Sequence, residues 1–215
     1  MALNAKTTNI PTNTGVIKAN NVNLTKVIAN GVVVWEKISQ IQLINGSSIS
    51  NNGTFSYYAV NGGTITPQDH HYMTTSGNSI WIQSYQNAPN SEYNGDKQKM
   101  NIITWSNIDL TSFTKLKFTF RVEAECSIGG ASKARIYLTA GNLTSNVIEG
   151  TGYNPWSEDG EVNNIPYEYS GSIELDVTAL TGAQTIRVNL FHENGDDEGR
   201  TTSFVNLYIT KLELT

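Results

Sequence analysis

Apolar and polar residues alternate along most of the chain after residue 38. The clearest case is the segment 115–125, in which Leu116, Phe118 and Phe120 alternate with charged residues and threonine. A period of two held over ten residues places one side of a strand on a core and the other side in water. The same pattern recurs at 134–140, 185–191 and 203–214. No segment has the sustained 3.6-residue period of an amphipathic helix.

Shorter apolar runs, separated by Gly, Asn and Pro, occupy the region before residue 115. They are ISQIQLI, TFSYYAV, SIWIQSY and MNIITW, which begin at residues 38, 54, 79 and 100. Only 15% of the residues are charged, and the abundant Asn, Thr and Gly disfavour long helices. Short, regular antiparallel strands with Gly-rich turns predict an all-β fold, a jelly-roll β-sandwich.

One sequence template occurs twice. IDLTSFTKLKFTF, from residue 108, and LDVTALTGAQTIRVNLF, from residue 175, both carry Asp and Thr two positions apart before an alternating strand. Asp and Thr side chains hydrogen-bond nearby backbone N–H groups and hold turns. Asp109 with Thr111 and Asp176 with Thr178 therefore predict two similar corners at strand entrances.

A β-hairpin is predicted near the N-terminus, in TKVIANGVVVWEK, residues 25–37. Asn30-Gly31 between two β-branched runs is the strongest short-range hairpin signal, because a type I′ turn needs positive φ at both central residues. A lone hairpin is marginal in water, so this one is expected to lie against the following domain or a neighbouring chain. The predicted division is an arm and hairpin at 1–38, for attachment or oligomerisation, and a jelly-roll domain at 39–215.

Charge and composition limit the classes of partner that the chain is expected to bind. The net charge of -5 and the scattered Lys and Arg argue against nucleic acid, which needs a clustered basic surface. No apolar stretch approaches the roughly 18 residues of a membrane helix, so no membrane insertion is expected. The opening segment lacks an apolar signal region, which predicts synthesis in a bacterial cytoplasm without a signal peptide. The single Cys126 excludes an intramolecular disulfide, and a half-buried inert thiol is expected.

Two segments resemble known families. LTKVIANGVVVWEK resembles a short hairpin near the start of many tail-associated proteins of phages and prophages of Gram-positive bacteria. IELDVTALTGAQTIRVNLF and the terminal FVNLYITKLEL resemble the last strands of galactose-binding-like jelly rolls, the fold of many carbohydrate-binding modules. The resemblance implies a virion or tail-associated protein, located in the virion, with an N-terminal attachment element and a C-terminal domain of the binding type.

Candidate glycan-binding residues are aromatic, because sugars present apolar C–H patches to flat aromatic faces. TGYNPWSEDG and NNIPYEY have no strand pattern and supply Tyr153, Trp156, Tyr167 and Tyr169. The loop around Trp156 is either a lid on the sandwich core or an exposed platform. Trp81, Trp105 and Tyr85 lie in predicted strands, where packing in the core or on a sheet face is expected.

Two clusters were weighed as metal sites. In DHHYM, from residue 69, adjacent histidines on an extended chain point to opposite faces, so a polar loop is the better interpretation. HENGDDEGR, from residue 192, concentrates oxygen ligands of the kind that Ca²⁺ prefers, among them Glu193, Asp196 and Asp197. A structural calcium ion at these three residues is the only cofactor that the sequence suggests.

No catalytic motif is present, and Glu123 and Glu125 share the solvent side of one strand rather than facing each other across a cleft. The expected function is therefore non-enzymatic: a phage or prophage virion protein that contacts host-surface glycan through its jelly roll. Its partners would be other tail subunits or copies of itself in a homo-oligomer. The alternative is a stand-alone carbohydrate-binding module, and a polysaccharide-degrading enzyme is the less favoured interpretation.

Overall fold

The computed structural model describes residues 17–19, 22–24, 26–29, 32–36, 40–60, 65, 69–87, 97–126, 130–154, 165–196 and 202–215. All regular secondary structure in these ranges is β-strand. In the described residues, no helix has the length and apolar character needed to cross a membrane.

Two short strand pairs come first along the chain, and a set of longer strands follows. The strands are β1 (Ile17–Ala19), β2 (Val22–Leu24), β3 (Lys26–Ala29), β4 (Val32–Glu36), β5 (Ile41–Asn45), β6 (Ser48–Ile49), β7 (Thr54–Val60), β8 (His70–Thr75), β9 (Ile80–Asn87), β10 (Lys97–Asp109), β11 (Lys115–Cys126), β12 (Gly130–Ala140), β13 (Leu143–Thr144), β14 (Ile148–Asn154), β15 (Tyr167–Asp176), β16 (Ala183–Asp196) and β17 (Thr202–Leu214).

The strands from β5 onward form two antiparallel sheets. The six-stranded sheet has the order β7, β10, β16, β12, with β13 and β14 both pairing with the far side of β12. The seven-stranded sheet has the order β15, β11, β17; the other side of β17 pairs with β9 along its first half and with β5 near its end. The chain passes repeatedly from one sheet to the other, as in a jelly roll. The predicted all-β sandwich is confirmed.

The core lies between the two sheets. Buried and more exposed side chains alternate along β11 and β12, so every second residue of these strands points into the core. Phe118, Leu207, Ile136 and Leu190 are fully buried there, and Trp105 donates a hydrogen bond from Nε1 to the carbonyl of Ser50 at 2.9 Å. Each such side chain contributes about 1.5–3 kcal/mol by leaving water. Of the two places predicted for Trp105, the core or a sheet face, the structure shows the core.

The two repeated Asp-Thr segments form matching corners, as predicted. Asp109 Oδ1 accepts hydrogen bonds from the backbone N–H and the hydroxyl of Thr111, at 3.0 and 2.7 Å. Asp176 does the same for Thr178, at 2.9 and 2.5 Å. The Thr111 hydroxyl also accepts a hydrogen bond from the N–H of Gly182 at 2.9 Å, which ties the first corner to the turn that follows the second.

The N-terminal hairpin is present as an antiparallel pair of β3 and β4, with Val27 opposite Trp35. Ile28 and Val32 are exposed. The Asn30-Gly31 turn and residues 1–16 lie outside the described residues, as do residues 37–39. The boundary at residue 38 stays a prediction.

One end of the core is polar. His192 is fully buried, and its two ring nitrogens lie 2.9 Å from the hydroxyls of Ser84 and Ser203. Nearby, the buried Lys99 ammonium lies 3.4 Å from Asp69. Burial is the main cause that lowers the pKa of His192 to about 3, and the neighbouring His71 and Lys99 lower it further. The imidazole is therefore neutral in the folded protein.

The side chains of β10 explain why this end is polar. Lys99 and Asn101 are buried between the sheets, whereas Met100 and Ile102 pack with Phe191 in a second, smaller apolar cluster. The apolar residues of this half-strand thus occupy the outer face of the six-stranded sheet.

We expect the free energy of unfolding to fall as the pH drops. The unfolded state protonates His192 near its ordinary pKa of about 6.5, whereas the folded state stays neutral down to about 3. Between these values the unfolded state binds more protons, so the folded state loses about 3 kcal/mol between about pH 7.5 and about pH 4 from this group alone.

Urea unfolding at a series of pH values measures this slope. His192→Gln is expected to have a flatter slope than the wild type, because it removes the group that the folded state keeps neutral. Titration of the wild-type imidazole by NMR gives an independent check. Protonation of His192 above about pH 5 would contradict the assignment.

Candidate functional site

Aromatic side chains lie together on the outer face of the seven-stranded sheet, on strands β8, β9 and β17. Trp81 of β9 and Tyr208 of β17 are cross-strand partners, with ring centroids 6.1 Å apart and planes within 4° of parallel. Tyr72 of β8 meets Trp81 edge-on at 5.3 Å and is 37% exposed. We call these three residues the aromatic face. His70 and Tyr85 extend it along the same two strands, with centroids 5.5 Å apart.

Amide side chains hold the aromatic face in place. Asn206 is buried, and its Oδ1 accepts hydrogen bonds from Trp81 Nε1 at 3.1 Å and from Gln83 Nε2 at 3.0 Å. Trp81 is thus fixed by its polar edge, while its flat surface stays on the outside of the sheet. A buried amide that orients an indole is costly to leave unpaired, so the three side chains behave as one unit.

A charged pair flanks the other side of Tyr208. The guanidinium carbon of Arg121 lies 4.3 Å from the centre of the Tyr208 ring, a cation–π distance. Arg121 also forms an ion pair with Glu123 on the same strand. Burial chiefly, and Glu123 in addition, raise the pKa of the Tyr208 hydroxyl, so the phenol stays protonated and able to donate a hydrogen bond.

Flat rings beside fixed amide and charged groups can stack on apolar faces of a ligand and hydrogen-bond its hydroxyls. Sequence analysis placed Trp81 and Tyr85 in a strand and did not select Tyr72 or Tyr208. A signal was present in SIWIQSY, where Trp81 and Tyr85 share their phase with Gln83 and oppose the apolar Ile80 and Ile82. In a sandwich strand, that phase belongs to the outer face.

Three of the four aromatic residues predicted from the sequence are described, and they lie on different surfaces. Tyr153 lies in β14, is 49% exposed, and faces outward from the six-stranded sheet beside the outward residues of β12. Tyr167 is partly buried against the core, and Tyr169 lies 6.0 Å from Phe120 at the sandwich rim. Trp156 lies outside the described residues. The structure therefore brings Tyr167 and Tyr169 together on β15, while Tyr153 belongs to another surface.

The two adjacent histidines lie in strand β8 rather than in the loop that the sequence suggested, because the chain pairs with β9 there. As predicted, they point to opposite faces. His70 packs on Tyr85 outside, whereas His71 Nδ1 lies 3.2 Å from the Ser84 hydroxyl and 3.1 Å from Asn101 Oδ1 inside.

The residues predicted for calcium are only partly described. Glu193 lies 3.5 Å from the Lys133 ammonium and 3.9 Å from Arg135, and accepts a hydrogen bond from Gln98 at 3.1 Å. Asp196 ends β16, opposite Gly130, and Asp197 lies outside the described residues. Among the side chains that the structure describes, no three His, Cys, Asp or Glu are grouped as metal ligands. The calcium ion stays a prediction.

Cys126 is more deeply buried than expected. Its side chain is 3% exposed, and its Sγ donates to the Gly130 carbonyl at 2.9 Å. Burial raises the pKa of the thiol, so the nucleophilic thiolate is disfavoured.

No family model matches the chain, and no curated protein matches it. Solved structures of carbohydrate-binding modules do resemble it in fold. One, described for its promiscuous specificity and placed in the β-sandwich superfamily, is 10% identical with a TM-score of 0.42; the match covers 86% of this chain and 65%, less than two thirds, of that chain.

Two further modules show the same likeness. A module with specific mannan recognition is 10% identical, with a TM-score of 0.39, and the match covers 82% of this chain and 95% of that one. A module specific for non-crystalline cellulose is 11% identical, with a TM-score of 0.37, and the match covers 80% and 96%. The likeness to all three concerns the sandwich architecture.

Tyr167 packs closely on Gly150 at the rim of the sandwich, and this packing can be tested by substitution. A Cβ atom added to Gly150 would lie 2.0 Å from Tyr167 Cζ. We expect Gly150→Ala to lower the free energy of unfolding by about 1–3 kcal/mol, since the ring must leave its place.

The coupling between the two residues is measured by chemical denaturation of three variants. They are Gly150→Ala, Tyr167→Ala and the double variant Gly150→Ala, Tyr167→Ala. The double variant should cost clearly less than the sum of the two single variants, because the alanine then fits in the space of the ring. Additive costs would show that the ring does not oppose the added methyl group.

Proposed function

We propose that this chain is a carbohydrate-binding protein that holds a glycan on its aromatic face. One observation carries the proposal: Trp81 and Tyr208 present parallel rings, with Tyr72 beside them, on the outer face of one sheet. Tyrosine and tryptophan in this setting combine an apolar surface with a polar edge at low conformational cost. A glycan chain lying across the strands would meet Tyr72 and Trp81, with Arg121 over the ring of Tyr208 beside them.

Polar groups around the rings suit sugar hydroxyls. Gln83 and Asn206 are held by each other and by Trp81, so their remaining donors and acceptors have fixed positions. Preorganised contacts of this kind raise affinity because little side-chain freedom is lost on binding.

Binding, rather than hydrolysis, is the function proposed. Glu123, the carboxylate beside the aromatic face, is engaged by Arg121 on its own strand. Glycoside hydrolysis uses two carboxyl groups on either side of the scissile bond, whereas Glu123 is paired with a cation beside the aromatic face.

A second proposal concerns residues 1–38, which we propose attach the chain to a virion. The β3–β4 hairpin exposes Ile28 and Val32, and exposed apolar side chains on a two-stranded hairpin favour contact with another surface. In this proposal the hairpin attaches the chain to a phage tail or to sister subunits, and the sandwich faces the host-surface glycan.

Removal of the indole is the direct test of the aromatic face. The test uses a polysaccharide that retards the wild-type protein in affinity electrophoresis. We expect Trp81→Ala to weaken binding to it by at least about tenfold, because the stacking surface and the anchor of Asn206 are lost together. Trp81→Phe should lose less.

Tyr153→Ala provides the matched control, since it removes an exposed aromatic side chain from the opposite sheet. It should bind as the wild type does. If Tyr153→Ala loses binding and Trp81→Ala keeps it, the glycan binds at the surface predicted from the sequence and the aromatic face is not the site.

Deletion of residues 1–38 tests the attachment proposal. The truncated chain should remain folded and bind polysaccharide, because the two sheets begin at β5, but should no longer assemble. Sedimentation velocity of both forms measures the assembly, with Ile28→Ser, Val32→Ser as a full-length variant of the same element. A truncated chain that still assembles would contradict attachment through this hairpin, and a full-length chain that is monomeric would contradict attachment to sister subunits.

A further inference from the structure

The outer face of the seven-stranded sheet also contains a depression next to the aromatic face. Its volume is about 530 Å³, and its charged and hydroxyl-bearing lining residues are Lys117, Thr119, Arg121, Ser170, Ser172 and Thr210. Small residues create it: Thr119 pairs with Ser172 and Arg121 with Ser170 across β11 and β15. Three hydroxyls, those of Thr119, Ser170 and Ser172, therefore lie in the depression between two cations, Lys117 and Arg121.

A β-bulge shapes the third side. The register of β17 against β11 shifts by one residue between Thr119 and Phe120, which leaves Thr210 as the extra residue, and its hydroxyl donates to the Thr119 carbonyl at 3.3 Å. Bulges bend a strand and redirect side chains, and they are common beside functional sites. Here the bulge places one more hydroxyl at the depression.

The two cations have different partners outside the depression. Glu174 accepts a hydrogen bond from Lys115 at 2.9 Å, whereas its other oxygen lies 3.6 Å from Lys117, beyond hydrogen-bond distance. The Lys117 side chain is 43% exposed, so its ammonium group can reach a ligand in the depression. Arg121 pairs with Glu123 and lies over Tyr208, which joins the depression to the aromatic face.

We propose that the depression is a subsite for the acid groups of an anionic polysaccharide, an inference that rests on the proposed glycan-binding function. Of the residues that line it, the charged ones are Lys117 and Arg121, and both are cationic. They stand four positions apart on one strand, about 13 Å, so a polymer with repeated acid groups can reach both. The hydroxyls of Thr119, Ser170 and Ser172 supply donors to the same oxygens. Carboxylate, sulfate and phosphate groups share this chemistry.

Matched polymers that differ only in charge test the subsite. Affinity is measured for polygalacturonate and its methyl ester, for dextran sulfate and dextran, and for a poly(glycerol phosphate) at low and high salt. We expect the wild type to prefer at least one acidic polymer over its neutral counterpart, or the phosphate polymer over neutral dextran, by about tenfold, and to lose that preference in high salt. The polymer that shows the preference identifies the acid group.

Lys117→Gln should abolish the preference while leaving affinity for the neutral polymer unchanged. Lys115→Gln is the matched control: it removes the same charge from the same face and strand, next to the same Glu174, but from outside the depression. It should retain the preference. Equal binding of acidic and neutral polymers by the wild type, or an equal response of the two lysine variants, would overturn the subsite.

The two proposals fail in different ways. If the wild type binds neutral polymers through Trp81 but shows no preference for acid groups, glycan binding stands and the subsite is wrong. If acidic polymers bind through Lys117 and Trp81→Ala has no effect, the subsite stands and stacking on the aromatic face is wrong. If no polymer of either kind binds, both are wrong.

Discussion

The backbone ladder between β11 and β17 fixes Leu116 against Leu214 at one end and Cys126 against Ser203 at the other. These are the two central strands of the seven-stranded sheet, so the register between them decides which side chains face the core and which share the outer surface. A slip of the register by one residue would expose Phe118 and Phe120 to water and bury Lys117 and Arg121. The apolar inner face therefore holds the outer face in position.

The bulge at Thr210 reconciles two demands on β17. Val205, Leu207 and Ile209 face the core at odd positions, whereas Leu212 and Leu214 do so at even ones. One extra residue changes the phase between these sets, so both halves of the strand pack inward. The same residue adds a hydroxyl to the depression on the other side. A requirement of core packing and a feature of the candidate site thus have one structural cause.

The sandwich and its two Asp-Thr corners were predictable because both depend on short-range patterns. The period of two in 115–125 specifies a strand with one buried face, and Asp109 or Asp176 bonds to a residue only two positions away. The candidate site was not predictable in this way. Trp81 and Asn206 are 125 residues apart and become neighbours only through the pairing of β9 with β17. The polar end of the core was missed because Lys99 and Asn101 occupy the phase that a simple pattern assigns to apolar residues.

The outer face described here is a shallow surface rather than a closed pocket, and this places a condition on how it binds. An open surface excludes little water, so each contact with a ligand gains little, and affinity must come from several contacts made without loss of freedom. Cross-strand pairing meets this need for preordered contacts, because a backbone ladder holds Trp81, Asn206 and Tyr208 on neighbouring strands. Loops would leave the same side chains to be ordered on binding. The two packed sheets are thus a means of fixing a row of otherwise flexible side chains in one plane.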